Sequence, residues 1–252
     1  MLSERQAVEL FHLCFLRLLS AGPDRNDFAL KGGCNLRFFF DSVRYSEDLD
    51  LDVARLPPHT LRQRVSKLLD GQPLALTLRS RGLSLSEWSA PKQTETTQRW
   101  KMSLAIDGRA LALHTRVEFS RRPTTEEAEI APVVGSVLAE HRLMALLLPH
   151  YPLATALRQK VFALVGRSAV QARDVFDLAV LLAKGGGILD ALAPISAQLP
   201  KALERAMDVS FDDYTSQVVS YLKPEHAGEY GSREAWNALQ TQVALALERA
   251  AP

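Results

Sequence analysis

The segment Asp48-Leu49-Asp50-Leu51-Asp52-Val53 alternates acidic and aliphatic residues without a break. A period of two belongs to a β-strand, whose successive side chains leave opposite faces. Leu49, Leu51 and Val53 then face a core, while Asp48, Asp50 and Asp52 share the other face, roughly 6.5–7 Å apart from one to the next. Like charges placed this way repel one another and give the strand nothing structurally. A hard divalent cation removes that penalty, because Mg²⁺ prefers carboxylate oxygens and keeps open positions for substrate phosphates. Two such ions activate an attacking hydroxyl and stabilise a leaving pyrophosphate. The competing reading is an edge strand with a solvated acidic face.

Upstream, Lys31-Gly32-Gly33 separates the strand pattern Phe28-Ala29-Leu30 from the helical run Asn35–Phe40. Glycines there let backbone approach a phosphate, and a helix start offers free N–H groups to an anion. A glycine turn followed by an acidic strand sets a triphosphate cradle beside a metal-binding edge, the layout of phosphoryl transfer.

Around this centre the chain reads as α+β. Val8, Phe11, Phe15, Leu18 and Leu19 recur at helical steps behind a Ser3 cap, with His12 on the flank, and Gly22-Pro23-Asp24 ends that helix. Pro57-Pro58 closes the acidic strand, and Thr60–Leu69 has helical spacing. Three further strands are expected from alternation: Leu74/Leu76/Leu78, Trp100/Met102/Leu104/Ile106, and Leu111/Leu113/Thr115/Val117/Phe119. Asp107-Gly108 forms the hairpin turn between the last two, and Leu83–Thr97 reads as a polar loop. From about residue 135 the pattern is helical to the end. Two domains follow, 1–134 and 135–252. In the second, Leu157, Val161, Leu164 and Val165 face a core with Arg158 and Lys160 on a flank. Asp174 and Asp177 lie on one helix face, Asp177 within pairing distance of Arg173.

The net charge of +1 excludes a polycationic coat or an acidic tail protein, but the charge is uneven. Residues 55–122 carry thirteen basic and five acidic side chains, an excess able to attract a polyanion. Trp88 and the arginines at 79, 81, 99, 121 and 122 are candidates for an RNA surface, whereas Trp100 is in register with core residues. Two cysteines, Cys14 and Cys34, give no disulfide framework and point to a reducing compartment. Glu4, Glu9 and Arg17 interrupt the apolar N-terminus, so no signal peptide is expected there, and no run reaches the length of a membrane span. A cytoplasmic monomer is expected.

LKGGCNLRFFFDSVRYSEDLDLDV resembles the nucleotidyltransferase-fold signature, a glycine turn followed by an acidic pair on the next strand. More narrowly, Lys31-Gly32-Gly33, Leu36-Arg37 and Arg44-Tyr45-Ser46-Glu47-Asp48-Leu49-Asp50 resemble the AbiEii/AbiGii toxin family, which includes the MenT toxins. The resemblance implies a mixed sheet with flanking helices followed by a helical half. It makes Asp48 and Asp50 the metal-binding pair for Mg²⁺ or Mn²⁺, with Lys31, Gly32, Gly33, Arg44 and Ser46 around the NTP. Cys34 replaces the family's usual Thr or Ser, and Asp52 lies outside its motif. The fold implies a third carboxylate on a neighbouring strand. Glu118, sharing a face with His114 and Arg116, is the candidate, unless it only forms an ion pair. Lys160 and Arg173-Asp174-x-x-Asp177-Leu178 resemble the later motifs. Lys160 would then bind nucleotide phosphates and Asp174 help complete the active site. Implied further are a toxin of a type IV-like toxin–antitoxin pair, a cognate antitoxin, and a tRNA acceptor. Two other readings stand beside this: transfer to a protein or small-molecule hydroxyl, and a non-catalytic binding module of the same fold.

Overall fold

The computed structural model describes residues 2–22, 25–121 and 126–251, so Pro23, Asp24 and Arg122 lie outside the described residues. The chain forms two units, residues 1–39 with 46–151, and residues 40–45 with 152–252.

The first unit opens with helix α1 (Glu4–Ser20). Ser3 and Gln6 cap it reciprocally, each side chain accepting from the other's backbone N–H. Strand β1 (Phe28–Lys31) runs directly into α2 (Gly32–Phe39), one turn earlier than the sequence pattern suggested. β2 (Asp48–Val53) follows, its aspartates part-exposed and its aliphatics buried, as the alternation requires. Next come α3 (Pro58–Leu69), α4 (Gln72–Arg79), β3 (Leu83–Gln93), β4 (Thr97–Ile106), β5 (Leu113–Ser120), β6 (Glu129–Pro132), α5 (Gly135–Glu140) and β7 (Leu147–His150). The seven strands form one mixed sheet in the order β3-β4-β5-β2-β1-β7-β6. β2 is antiparallel to β1 and parallel to β5. The core lies between this sheet and α1, α3 and α4, and holds Phe11, Phe15, Leu51, Trp100 and Phe119 among others.

Four expectations change. Leu74–Leu78 is helix α4, not a strand: Leu74 and Leu78, four apart, are buried while Leu76 is 61% exposed. Leucine favours helix, and one buried face four residues apart overrides a coincidental period of two. Leu83–Gln93 is strand β3 rather than loop. It is an edge strand paired only with β4, its register shifting at Leu85/Glu87 and Ser89/Lys92, so neither face alternates cleanly. The Asp107-Gly108 turn forms, with Gly108 at φ +78°, but β5 resumes only at Leu113 and leaves Leu111 78% exposed. Finally, the region after 135 is not helical throughout. β7, short and containing Pro149, pairs parallel with β1 and antiparallel with β6. The 134/135 boundary therefore falls inside the first unit, and continuous helix begins at Leu153.

The second unit contains α6 (Leu153–Gly166), α7 (Ala172–Leu182), α8 (Ile188–Leu192), α9 (Leu199–Met207), α10 (Phe211–Gln217), α11 (Pro224–Tyr230) and α12 (Arg233–Ala250). Aromatic rings fill its core: Tyr214 stacks on Trp236 at 4.4 Å, and Phe176 meets Tyr230 edge-on at 5.7 Å. Gln240 Nε2 donates to the Ala206 carbonyl at 2.8 Å, satisfying the end of α9. Residues beyond 185, which carry no motif, thus supply packing. No helix among the described residues is long and apolar enough to cross a membrane.

Candidate active site

β1 ends at Lys31, and the chain turns at once into α2 through Gly32, whose φ of +67° is the left-handed region that favours glycine. A Cβ there would also lie 3.0 Å from Asp50 Oδ2. The turn is therefore held against the acidic strand, and Lys31 pairs in register with Asp50 across β1 and β2. Gly32 and Gly33 begin α2, so the helix N-terminus, an anion-attracting end, stands beside the aspartates.

Hydrogen bonds to backbone carbonyls fix the entrance to β2. The Ser46 hydroxyl and the Cys34 thiol both donate to the Asp48 carbonyl, at 2.9 and 3.3 Å. Thr115 Oγ1 donates to the Glu47 carbonyl at 2.6 Å. That commits the threonine proton, so His12 Nε2 must be the donor in the 2.8 Å contact with Thr115 Oγ1. His12 Nδ1 is left as an acceptor 3.6 Å from Cys34 Sγ. Burial pushes the imidazole down to about 4 and the Cys34 thiol well up, so both stay neutral. His12, expected on a flank, is instead wholly buried and braces the strand that carries the acids. Ser46 spends its proton on this turn and can only accept from a ligand.

Three of the acids on the open face of β2 and β5, Asp48, Glu118 and Asp52, each carry a cationic partner. Asp48 Oδ2 meets Arg116 at 2.8 Å, because β2 and β5 place these residues in register. Glu118, in register with Asp50, accepts from Arg99 of β4 at 2.6 Å, the cross-strand pair that alternation allowed. Asp52, whose role the motif left open, holds Lys31 and accepts from the Tyr151 hydroxyl at 2.9 Å. Burial, with the Asp52 charge added, pushes the Tyr151 phenol up and keeps it a donor. Lys31 is thus tied to its own sheet. The first unit brings Lys31, Gly32, Gly33, Ser46, Asp48, Asp50 and Glu118 together.

The later motifs form a second cluster, in the second unit. Lys160, expected on a flank, is buried; its Nζ lies 2.6 Å from Asp177 Oδ2 and 3.3 Å from Asp174 Oδ1. Both aspartates are fully buried rather than on a surface. Asp177 takes two bonds at 3.1 Å from Arg44 Nη2, not from Arg173, and Asp174 meets Arg167 at 2.7 Å. Burial alone would raise the Asp177 carboxyl; Arg44 and Lys160 outweigh it and hold the group below the usual range. Arg44 is committed to Asp177 and to the Tyr45 carbonyl. The spacing of these residues was legible, but not that they would be desolvated against one another.

Four of the residues considered for an RNA surface, Trp88, Arg81, Arg99 and Arg121, are engaged within the fold. Trp88 is in register with the buried Met102 and donates through Nε1 to Asp70 at 2.8 Å, on the helix-covered side of the sheet. Arg81 donates to the His141 carbonyl and Arg121 to Gln98 Oε1, while Arg99 holds Glu118. Trp100 is core, as expected.

Residues 14–249 match the family described as nucleotidyl transferase AbiEii toxin, type IV toxin–antitoxin system. This chain belongs to that family. It is therefore an AbiEii-type nucleotidyltransferase toxin. A comparison with curated proteins finds no sequence match. Among solved structures, a candidate nucleotidyltransferase from Helicobacter pylori is similar over 99% of this chain and 96% of its own, at 17% identity and TM-score 0.65. JHP933 from the same species covers 99% and 93%, at 17% identity and TM-score 0.62. MenT4, a nucleotidyltransferase toxin from Mycobacterium tuberculosis H37Rv, covers 98% and 86%, at 20% identity and TM-score 0.63. At these identities the likeness to solved structures shows the fold.

Proposed function

We propose that this AbiEii-type toxin transfers a nucleoside monophosphate from an NTP to a hydroxyl at the acceptor end of tRNA, in a metal-dependent reaction countered by a cognate antitoxin. The observation that carries the reading is the placement of Asp48 and Asp50, part-exposed on one face of β2, with the Gly32 turn and the start of α2 pressed against Asp50.

The donor set suits Mg²⁺ or Mn²⁺. Carboxylate oxygens are the hard ligands such ions take, and Asp48 already attracts the cationic head of Arg116. Among the described residues no three His, Cys, Asp or Glu side chains are grouped to enclose a metal. Two aspartates thus supply part of a shell and leave positions for phosphate oxygens and water, as Mg²⁺ favours. Asp48 and Asp50 would hold the ion, with Glu118 as a third ligand once Arg99 releases it. When bound, the ion supplies charge neutralisation at the phosphates and at the attacking oxygen.

The N–H groups of Gly32 and Gly33 receive the triphosphate, and a side chain at Gly32 would crowd Asp50. The acceptor hydroxyl gives up its proton to solvent water as its oxygen bonds to the α-phosphorus, the bond from that phosphorus to the α–β bridging oxygen breaks, and pyrophosphate leaves with that electron pair. Lys160, held by Asp174 and Asp177 within the second unit, is the ammonium to which the family resemblance gives the nucleotide phosphates.

The test is incubation of purified protein with total RNA, protein and metabolite fractions and each α-labelled NTP, with Mg²⁺ or with chelator. Label in tRNA that vanishes with chelator and in Asp50→Asn is the expected result. Label confined to the protein or metabolite fraction, or label that survives Asp50→Asn, overturns the reading.

A further inference from the structure

Asp52 lies outside the nucleotidyltransferase motif, yet both its carboxylate oxygens are engaged. Oδ1 meets the Lys31 ammonium, and Oδ2 accepts from the Tyr151 hydroxyl at 2.9 Å. Backbone register alone would pair that lysine differently. β1 and β2 set Lys31 directly opposite Asp50, and Asp52 opposite Ala29. Directly opposite side chains stand about 4.5–5.5 Å apart at Cβ and diagonal ones about 7–8 Å, so Asp50 is the nearer acid. The ammonium takes the diagonal instead.

The surroundings of Asp52 account for that choice. The Tyr151 N–H donates to the Leu30 carbonyl at 3.2 Å, and its carbonyl accepts from Asn35 Nδ2 at 2.9 Å. With its backbone fixed at the end of β7 and its ring buried, the phenol points its one proton at Oδ2 and turns Oδ1 toward β1. Asp50 lies toward the Gly32 turn, where a Cβ would stand 3.0 Å from its Oδ2. The Lys31 and Asp52 side chains are 20% and 17% exposed, whereas the arginine on Asp48 is 38% exposed. The drier pair is the harder one for an arriving ion to exchange.

We propose that Asp52, oriented by Tyr151, is a positioning residue that draws the Lys31 ammonium along the strand and stops it competing with the metal ion for Asp50. The inference rests on the metal-dependent reading above. An ammonium and a divalent cation seek the same carboxylate oxygens, and a tethered ammonium acts at a high effective concentration. Opposite Asp50, Lys31 would be a built-in inhibitor of cation binding. The third aspartate gives it a carboxylate of its own, and the resulting pair adds no net charge to the face.

Mn²⁺ binding to the nucleotide-free protein, followed by electron paramagnetic resonance of the free ion, tests this as a double-mutant cycle. Asp52→Asn keeps an acceptor for Tyr151 and is expected to weaken Mn²⁺ binding about tenfold, whereas in a Lys31→Met background the same change weakens it no more than about twofold. Tyr151→Phe alters no charge and is expected to weaken binding about threefold with Lys31 present and not in Lys31→Met. A metal-ligand role for Asp52, or a general loss of negative charge, acts equally in both backgrounds. Equal effects of Asp52→Asn in the two therefore overturn the proposal, as does Mn²⁺ binding unchanged by Asp52→Asn. Asp50→Asn separates the two kinds of failure. Mn²⁺ held as tightly without Asp50, or not held by the wild type, refutes the metal site itself; Mn²⁺ lost in Asp50→Asn but with equal Asp52→Asn effects refutes only the role of Asp52.

Discussion

Asp48 and Asp177 are both aspartates held by an arginine, at 2.8 Å by Arg116 and at 3.1 Å by Arg44. Their surroundings differ. Asp48 is part-exposed and its arginine is 38% exposed; Asp177 and Arg44 are buried, with Lys160 against the same carboxylate. An exposed pair in high dielectric is worth about 1 kcal/mol or less, so Asp48 can exchange Arg116 for another cation at little cost. Asp177 cannot make that exchange, because losing one partner strands charge in a dry interior. Identical residue types thus serve a site that must open to ligand and a cluster that must stay closed.

The sharpest break of this contrast would come from Asp50→Asn. It is expected to lower nucleotide transfer about a thousandfold, while denaturant unfolding shifts by no more than about 1 kcal/mol. A variant that unfolded instead would make the acidic face structural. Asp177→Ala should do the reverse, costing about 3–5 kcal/mol of stability, measured by chemical denaturation. The sign in acid is set by its lowered pKa. The carboxylate's stabilisation is present above its ordinary value and is lost as pH falls through the lowered one, so Asp177→Asn should flatten that acid limb.

His12 extends the comparison to pH. Its folded pKa of about 4 lies below the ordinary 6.5, so the unfolded chain binds the extra proton between those values. Stability therefore falls on acidification from about 6.5 to 4, by about 3 kcal/mol from this group. His12→Gln should remove that share from a pH series of melting curves. The smallest expected effect is at Glu118→Gln. Stability should change by under about 1 kcal/mol, since the Arg99 pair is part-exposed, and transfer should fall about tenfold. Unchanged transfer would leave Glu118 as the partner of Arg99 alone.

Much of the site was legible because it is local. A period of two put Asp48, Asp50 and Asp52 on one face, and the glycine pair marked the turn that now presses on Asp50. Glu118 followed from alternation on a strand whose inward members are large and apolar. Leu83–Gln93 was missed because an edge strand with shifted register need not alternate, and Leu74–Leu78 because three leucines satisfy two periods at once. Alternation puts Arg116 and Glu118 on one face without saying which acid Arg116 meets; the parallel pairing of β2 with β5 hands it to Asp48. His12 and Thr115, a hundred and three positions apart, leave no local signal of their contact.

Which residues can share a strand face or a helix stripe is set by backbone geometry within a few positions, and that much the amino-acid order determined alone: the acidic face, the glycine turn, and the Lys160 and Asp174–Asp177 spacing. Which charge meets which, and whether the pair is wet or dry, depends on strand order and on the packing around it. Only the folded chain decided that Arg116 holds Asp48 at a surface while Arg44 and Lys160 hold Asp177 in a core, because dielectric surroundings belong to the assembled layers and to no single residue.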